Sequence, residues 1–121
     1  MSFVWYSAFG EVKIAMDEKD GSLRAIKIVN KPKDNSSEIL VDLRMEMEIM
    51  TIIGSQPHIL RLYEFTEDEG HMYFVLELCS GGDMMDRLLA RKPMNLTEYE
   101  IQKTFKEILL GLRVSITYLH L

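Results

Sequence analysis

Cysteine is almost missing from this chain. Cys79 is the only one, so the 121 residues can form neither an internal disulfide nor a cysteine-based zinc cluster, which fits a reducing compartment. Long apolar runs are missing as well: no stretch approaches the roughly 18 apolar residues of a membrane span. The opening residues MSFVWYSAFGEV carry no basic leader and reach Glu11 before an apolar segment of signal length accumulates. A soluble, intracellular, cytoplasmic chain that engages no membrane is expected. Positive charge is in deficit, with 14 Lys and Arg against 19 Asp and Glu and a net charge of −5. That balance leaves no basic footprint for nucleic acid or an anionic bilayer. Internal repeats and low-complexity tracts are absent too. What is present is a hydrophobic content of 47%, enough for one domain with a working core but too short a chain for two full domains.

Periodicity divides the chain into elements. Glu11 to Met16 alternate, with Val12, Ile14 and Met16 on one side, and Asp20-Gly21 in DEKDGS signals a hairpin. Leu23 to Val29 forms the return strand, stopped by the polar, proline-containing NKPKDNSSE. Glu38 to Ile53 reads as a helix with a stripe of Ile39, Leu43, Met50 and Ile53. Ile59 to Phe65 and Met72 to Leu78 are two further strands joined by the acidic turn TEDEG. A short helix over Asp83 to Ala90 follows Gly81-Gly82. A long final helix begins near LTEYE, where Thr97 and Glu100 have capping-box spacing. Strands grouped around one helix and followed by helices predict an α+β fold.

Three positions carry the chemical interest. Lys27 shares a strand face with Ala25 and Val29, so its ammonium either snorkels past them to water or meets a buried anionic partner. Glu46, between Leu43 and Met50 along the helix, is expected inside the apolar stripe, where a carboxylate is costly unless paired. A lysine from the neighbouring strand is the obvious partner. Gly10, after an aromatic residue at a strand start, either lets backbone amides approach a phosphate or simply serves a turn or bulge.

The order and spacing of Gly10, Lys27 and Glu46 resemble the N-terminal lobe of a eukaryotic protein kinase, as Gly-rich loop, strand lysine and helix glutamate. The likeness continues through QPHILRLYEF and HMYFVLELCSGGDMMDRLL. It is strongest to the calcium-dependent and calcium/calmodulin-dependent serine/threonine kinases. The resemblance implies a kinase-like lobe, an antiparallel sheet with one inserted helix, over 1–78, and a hinge with two helices of an incomplete second lobe over 79–121. It implies ATP as the cofactor, with magnesium in the complete parent, and a protein substrate. Lys27, held by Glu46, would place a fixed charge on the α and β phosphates. Val12 and Ala25 match the pair packing above adenine, and Met84 would pack from below. Leu76 falls at the gatekeeper, Glu77 to Cys79 at the adenine-binding hinge, and Asp83 at the acidic residue that binds ribose. Met50 and Leu62 match positions in the family's internal hydrophobic column.

The chain also departs from that pattern. Trp5 and Ser7 stand where the first two glycines of G-x-G-x-x-G belong, and a nearly absent first strand is expected, with weakened nucleotide binding. No H-R-D or D-F-G occurs in these residues, so no residue is assigned a catalytic or metal-binding role and the chain as written is expected not to transfer phosphate. GLRVSITYLH is about four residues longer than the usual run, which keeps Phe105, Ile108, Leu109, Leu112, Ile116 and Leu119 in one stripe. That stripe is expected to be exposed, inviting aggregation or a protein partner. The two readings are a fragment of a serine/threonine kinase, and a non-catalytic nucleotide- or partner-binding module.

Overall fold

The computed structural model describes residues 4–7, 10–34, 37–93 and 95–119. The chain divides into two compact units, Met1–Leu78 and Cys79–Leu121. In the first, β1 (Val4–Ser7), β2 (Gly10–Met16), β3 (Leu23–Asn30), β4 (Leu62–Glu67) and β5 (His71–Glu77) form one antiparallel sheet in the order β1-β2-β3-β5-β4. Helix α1 (Glu38–Ile53) is inserted between β3 and β4. The architecture is α+β, as the element order predicts.

Cross-strand partners share a sheet face, and the register places one apolar set together. Val12 lies opposite Lys27, Ile14 opposite Ala25, Ala25 opposite Leu76, Lys27 opposite Phe74 and Val29 opposite Met72. Helix α1 covers part of this face. Its Leu40 and Leu43 join Val29, Met72, Phe74 and Leu76 in the core, and Met47, Met50, Leu62 and Phe65 pack against it. Met72 and Phe74 are completely enclosed, each contributing on the order of 2 kcal/mol by burial. Phe65 meets Phe74 edge-on at 5.2 Å between centroids, a preferred aromatic geometry.

Three expectations need correction. The first strand is present: Val4–Ser7 pairs with β2, Trp5 opposite Val12 and Ser7 opposite Gly10. The residues replacing two glycines are compatible with extended backbone, so they lengthen the hairpin. The buried stripe of α1 is Leu40, Leu43, Met47 and Met50, with Ile53 also buried, whereas Ile39 is 54% exposed. Spacings of three and four from Leu40 keep one face on the sheet, and Ile39 lies a helical step to its side. Strand β4 starts at Leu62 rather than Ile59, because His58 takes a positive φ of 65° after Pro57 and the Ile59 amide closes a turn on the Gln56 carbonyl at 3.3 Å.

The β2–β3 connection contains the expected Asp20-Gly21, with Gly21 at φ 72° and its amide donating to the Asp17 carbonyl at 2.8 Å. The β4–β5 turn is organised by Asp68, which accepts from the Gly70 and His71 amides and the Tyr73 hydroxyl at 2.8, 2.8 and 2.7 Å. Those donors, the Tyr73 hydroxyl foremost, hold its carboxyl down to about 2.

In the second unit, α2 (Met84–Leu89) starts at a capping box: Asp83 accepts from the Asp86 amide at 2.7 Å, and Asp86 from the Asp83 amide at 3.1 Å. Helix α3 (Glu98–Leu119) starts at the expected Thr97–Glu100 box. Glu100 also takes a two-pronged guanidinium contact from Arg91, whose Nη1 lies 2.7 Å from Oε2. Arg91 first, and then the Thr97 amide and hydroxyl, hold the Glu100 carboxyl far below the ordinary carboxylate range. Phe105, Ile108, Leu109, Leu112 and Ile116 are exposed along α3. No helix among the described residues is long and apolar enough to cross a membrane.

The depressed Glu100 sets a pH dependence. Its contribution is full above the ordinary value of 4.5 and is lost as pH falls through the lower folded value. Glu100→Gln should therefore lower the melting temperature at pH 7, and the gap to the unsubstituted chain should narrow between about pH 5 and pH 3 in circular-dichroism melts. A gap independent of pH would contradict the assignment.

Candidate functional site

Lys27 sits mid-strand in β3, between Val12 of β2 and Phe74 of β5. Its side chain is only 17% exposed, and Nζ lies 5.4 Å from the Phe74 ring centroid, within the range of a cation–π contact. Nζ donates to Glu46 Oε1 of α1 at 2.8 Å. The lysine and glutamate singled out in the sequence are thus brought together across 19 residues. Their environment differs from expectation, because the Glu46 side chain is 44% exposed. It stands at the edge of the helix stripe rather than within it, so the expected desolvation penalty does not arise. A half-exposed pair of this kind contributes about 0–1 kcal/mol. Its consequence is positional: an ammonium on a flexible stem is held at one place over the sheet.

The apolar surroundings come from the same register. Ala25 packs against the core beside buried Leu76, and Val12 is half-buried next to Lys27. At the end of β5, the Glu77 amide donates to the Arg61 carbonyl at 2.9 Å, and the Glu77 carboxylate accepts the Arg61 amide at 3.3 Å. Met50 and Leu62 both pack against the core cluster.

Gly10 is explained by packing. A Cβ there would lie 2.0 Å from the Ile28 carbonyl oxygen and 3.2 Å from the Val29 Cα. The close approach of β2 to β3 therefore requires a glycine, whatever binds nearby. Residues 8 and 9, between β1 and β2, lie outside the described residues. Cys79 and Asp83 belong to the second unit. Cys79 is exposed, Met84 is 38% exposed, and Asp83 Oδ1 serves as the α2 cap. Among the described residues no group of three His, Cys, Asp or Glu is arranged to hold a metal ion.

One cluster was missed in the sequence. Glu67, at the end of β4, accepts from Lys31 Nζ at 2.8 Å and from the Arg44 guanidinium of α1 at 3.2 and 3.3 Å. Lys31 first and then Arg44 hold its carboxyl below the ordinary range. These partners are 23 or more residues apart in the chain, so no local spacing signals them. The Asp68 turn, by contrast, was available from the Asp-x-Gly pattern.

A protein kinase domain model matches residues 7–120 of the chain. This chain belongs to the protein kinase family. Among its relatives, calcium-dependent protein kinase 5 of Plasmodium berghei (strain Anka) is 39% identical over 101 residues, covering 84% of this chain and 17% of the relative. Calcium-dependent protein kinase 4 of Plasmodium falciparum (isolate 3D7) is 32% identical over 113 residues, 93% of this chain and 20% of the relative. Calcium/calmodulin-dependent serine/threonine-protein kinase 1 of Oryza sativa subsp. japonica is 35% identical over 77 residues, 60% of this chain and 13% of the relative. The chain spans about a fifth or less of the length of these relatives. In this kinase-family sheet, the Lys27–Glu46 pair joins the central strand to the inserted helix.

The Gly10 contact has a direct consequence. Gly10→Ala should destabilise the chain by about 2–3 kcal/mol through overpacking, read as a lower urea midpoint. Gly81→Ala, with open space at its Cβ, should leave the midpoint in place.

Proposed function

We propose that this chain is the ATP-binding half of a serine/threonine protein kinase, and that the complete parent transfers a phosphoryl group from ATP to protein hydroxyls. The observation carrying this reading is the 2.8 Å Lys27–Glu46 pair, set on a sheet face that also presents Val12, Ala25 and Leu76. Lys27 would meet the α and β phosphates as a fixed positive charge, with Glu46 limiting its wandering. Val12 and Ala25 would offer a flat apolar surface to the adenine, with Leu76 bounding its depth. The backbone of Glu77 to Cys79 would hydrogen-bond the adenine edge, and Asp83 would approach the ribose. ATP, with magnesium in the parent, supplies the transferable phosphoryl group.

The serine/threonine preference is supported by kinship with the rice serine/threonine-protein kinase. We further place the protein in the cytoplasm, a reading supported by its single cysteine. Trp5 and Ser7 in place of two glycines narrow the accessible backbone angles beside the phosphates, so binding by this chain should be weak.

Calorimetric titration with ATP tests the reading. Lys27→Met should weaken binding about tenfold or more, whereas Lys19→Met, at an exposed turn residue, should leave it unchanged. Trp5→Gly combined with Ser7→Gly should tighten it. Equal effects of the two lysine substitutions, or no binding even with the glycines restored, would sink the proposal.

A further inference from the structure

Helix α1 touches the sheet through a narrow stripe, Leu40, Leu43, Met47 and Met50, and an apolar stripe alone fixes the roll of a helix only to within about one residue step of 100°. Two charged residues flank that stripe. At 3.6 residues per turn, Arg44 and Glu46 project to opposite sides of it, each about 80° from its centre. Glu46 reaches Lys27 in β3 at 2.8 Å. Arg44 reaches Glu67 at the end of β4, with Nη2 3.2 Å from Oε2 and Nη1 3.3 Å from Oε1. The same Glu67 oxygen lies 2.8 Å from Nζ of Lys31, which follows β3 directly and also donates to the Asp68 carbonyl. One turn of α1 is therefore tied on both sides of its buried stripe, and both ties lead back to β3, at Lys27 within it and at Lys31 just after its end.

We propose that Arg44 and Glu67, with Lys31 steadying the Glu67 carboxylate, act as positioning residues that set the roll of α1 and so keep Glu46 on Lys27. A two-pronged guanidinium–carboxylate contact fixes direction as well as distance, which a single ammonium–carboxylate contact does not. The Lys27–Glu46 pair is half-exposed and too weak to hold the helix by itself. Losing the Arg44–Glu67 tie would let the helix roll and carry Glu46 away, although the Lys27 ammonium bonds Glu46 and Arg44 bonds Glu67. The meaning of this device for nucleotide binding rests on the function proposed above; its geometry does not.

The test reads the pair directly. Lysine ε-amines of the folded 121-residue chain are acetylated with limiting N-acetoxysuccinimide, and the Lys27 rate is measured against Lys19 by peptide mass spectrometry, with circular dichroism as the folding control. Arg44→Gln, a helix-compatible change at an exposed site, should raise the Lys27:Lys19 ratio several-fold while Lys31, still on Glu67, keeps its wild-type rate. Glu67→Gln should raise both Lys27 and Lys31. Arg44→Lys should give a smaller rise at Lys27 than Arg44→Gln, and the double variant Arg44→Gln, Glu67→Gln should exceed neither single one at Lys27, because both remove the same interaction. An unchanged Lys27 rate in both single variants would overturn the proposal. So would a rise in Arg44→Gln that Lys31 shares, since that reports general loosening. ATP titration of the same variants should show weaker binding in step with Lys27 exposure. Absence of ATP binding even with Trp5→Gly and Ser7→Gly in place would overturn the nucleotide reading alone, while the acetylation ratios still decide the positioning role.

Discussion

An ammonium at mid-strand in a sheet centre either reaches water or meets an anion, and here it is held by a carboxylate from a helix 19 residues away. Lys27 lies between Val12 and Phe74 with most of its stem covered, so the charge cannot move far into water without uncovering apolar surface. The pair contributes little stability because Glu46 is open to solvent. The surrounding arrangement nevertheless bears on it. The β2–β3–β5 register sets where Nζ emerges, and the Leu40 to Met50 stripe sets how close α1 lies. Glu67 ties the opposite flank of the same helix turn.

Energy and geometry are divided between different groups. Burial is supplied by a compact set around Phe74 and Met72, two side chains that are completely enclosed, and none of its members carries a charge. Position is supplied by ion pairs on the margins of that set, each partly exposed. A site built this way keeps its charged groups solvated and reachable, while the apolar contacts beneath them supply the stability. Glycine follows the same division: Gly10 permits the close approach of two strands, and this requirement is independent of any ligand.

Much of the first unit was legible in the chain. Alternation marked β2 and β3, Asp20-Gly21 marked their turn, and the bounds of α1 follow from its periodicity and the glycine after it. The Lys27–Glu46 pairing was also legible, since Lys27 lies on an apolar strand face and a carboxylate from the next helix was the obvious remedy, although Glu46 stands at the edge of its stripe rather than inside it. Less was legible where two local readings compete. Ile39 and Leu40 are adjacent apolar residues on one helix, and only docking against the sheet chose Leu40. Ile59 and Leu60 have strand character, but the backbone after Pro57 turns before it can extend. Trp5 and Ser7, conspicuous as replacements for glycine, proved compatible with a paired strand.

The sequence by itself determined the elements, their order, the identity of the odd lysine and glutamate, and membership of the kinase family, because periodicity, turn chemistry and motif spacing are properties of neighbours along the chain. Tertiary structure alone decided the roll of α1, the exposure of Glu46, and the union of Arg44, Glu67 and Lys31. The physical reason is distance. Hydrophobic pattern fixes which face of a helix is buried only to within about one residue step of 100°, and charges 23 residues apart meet only after the sheet has brought their strands together.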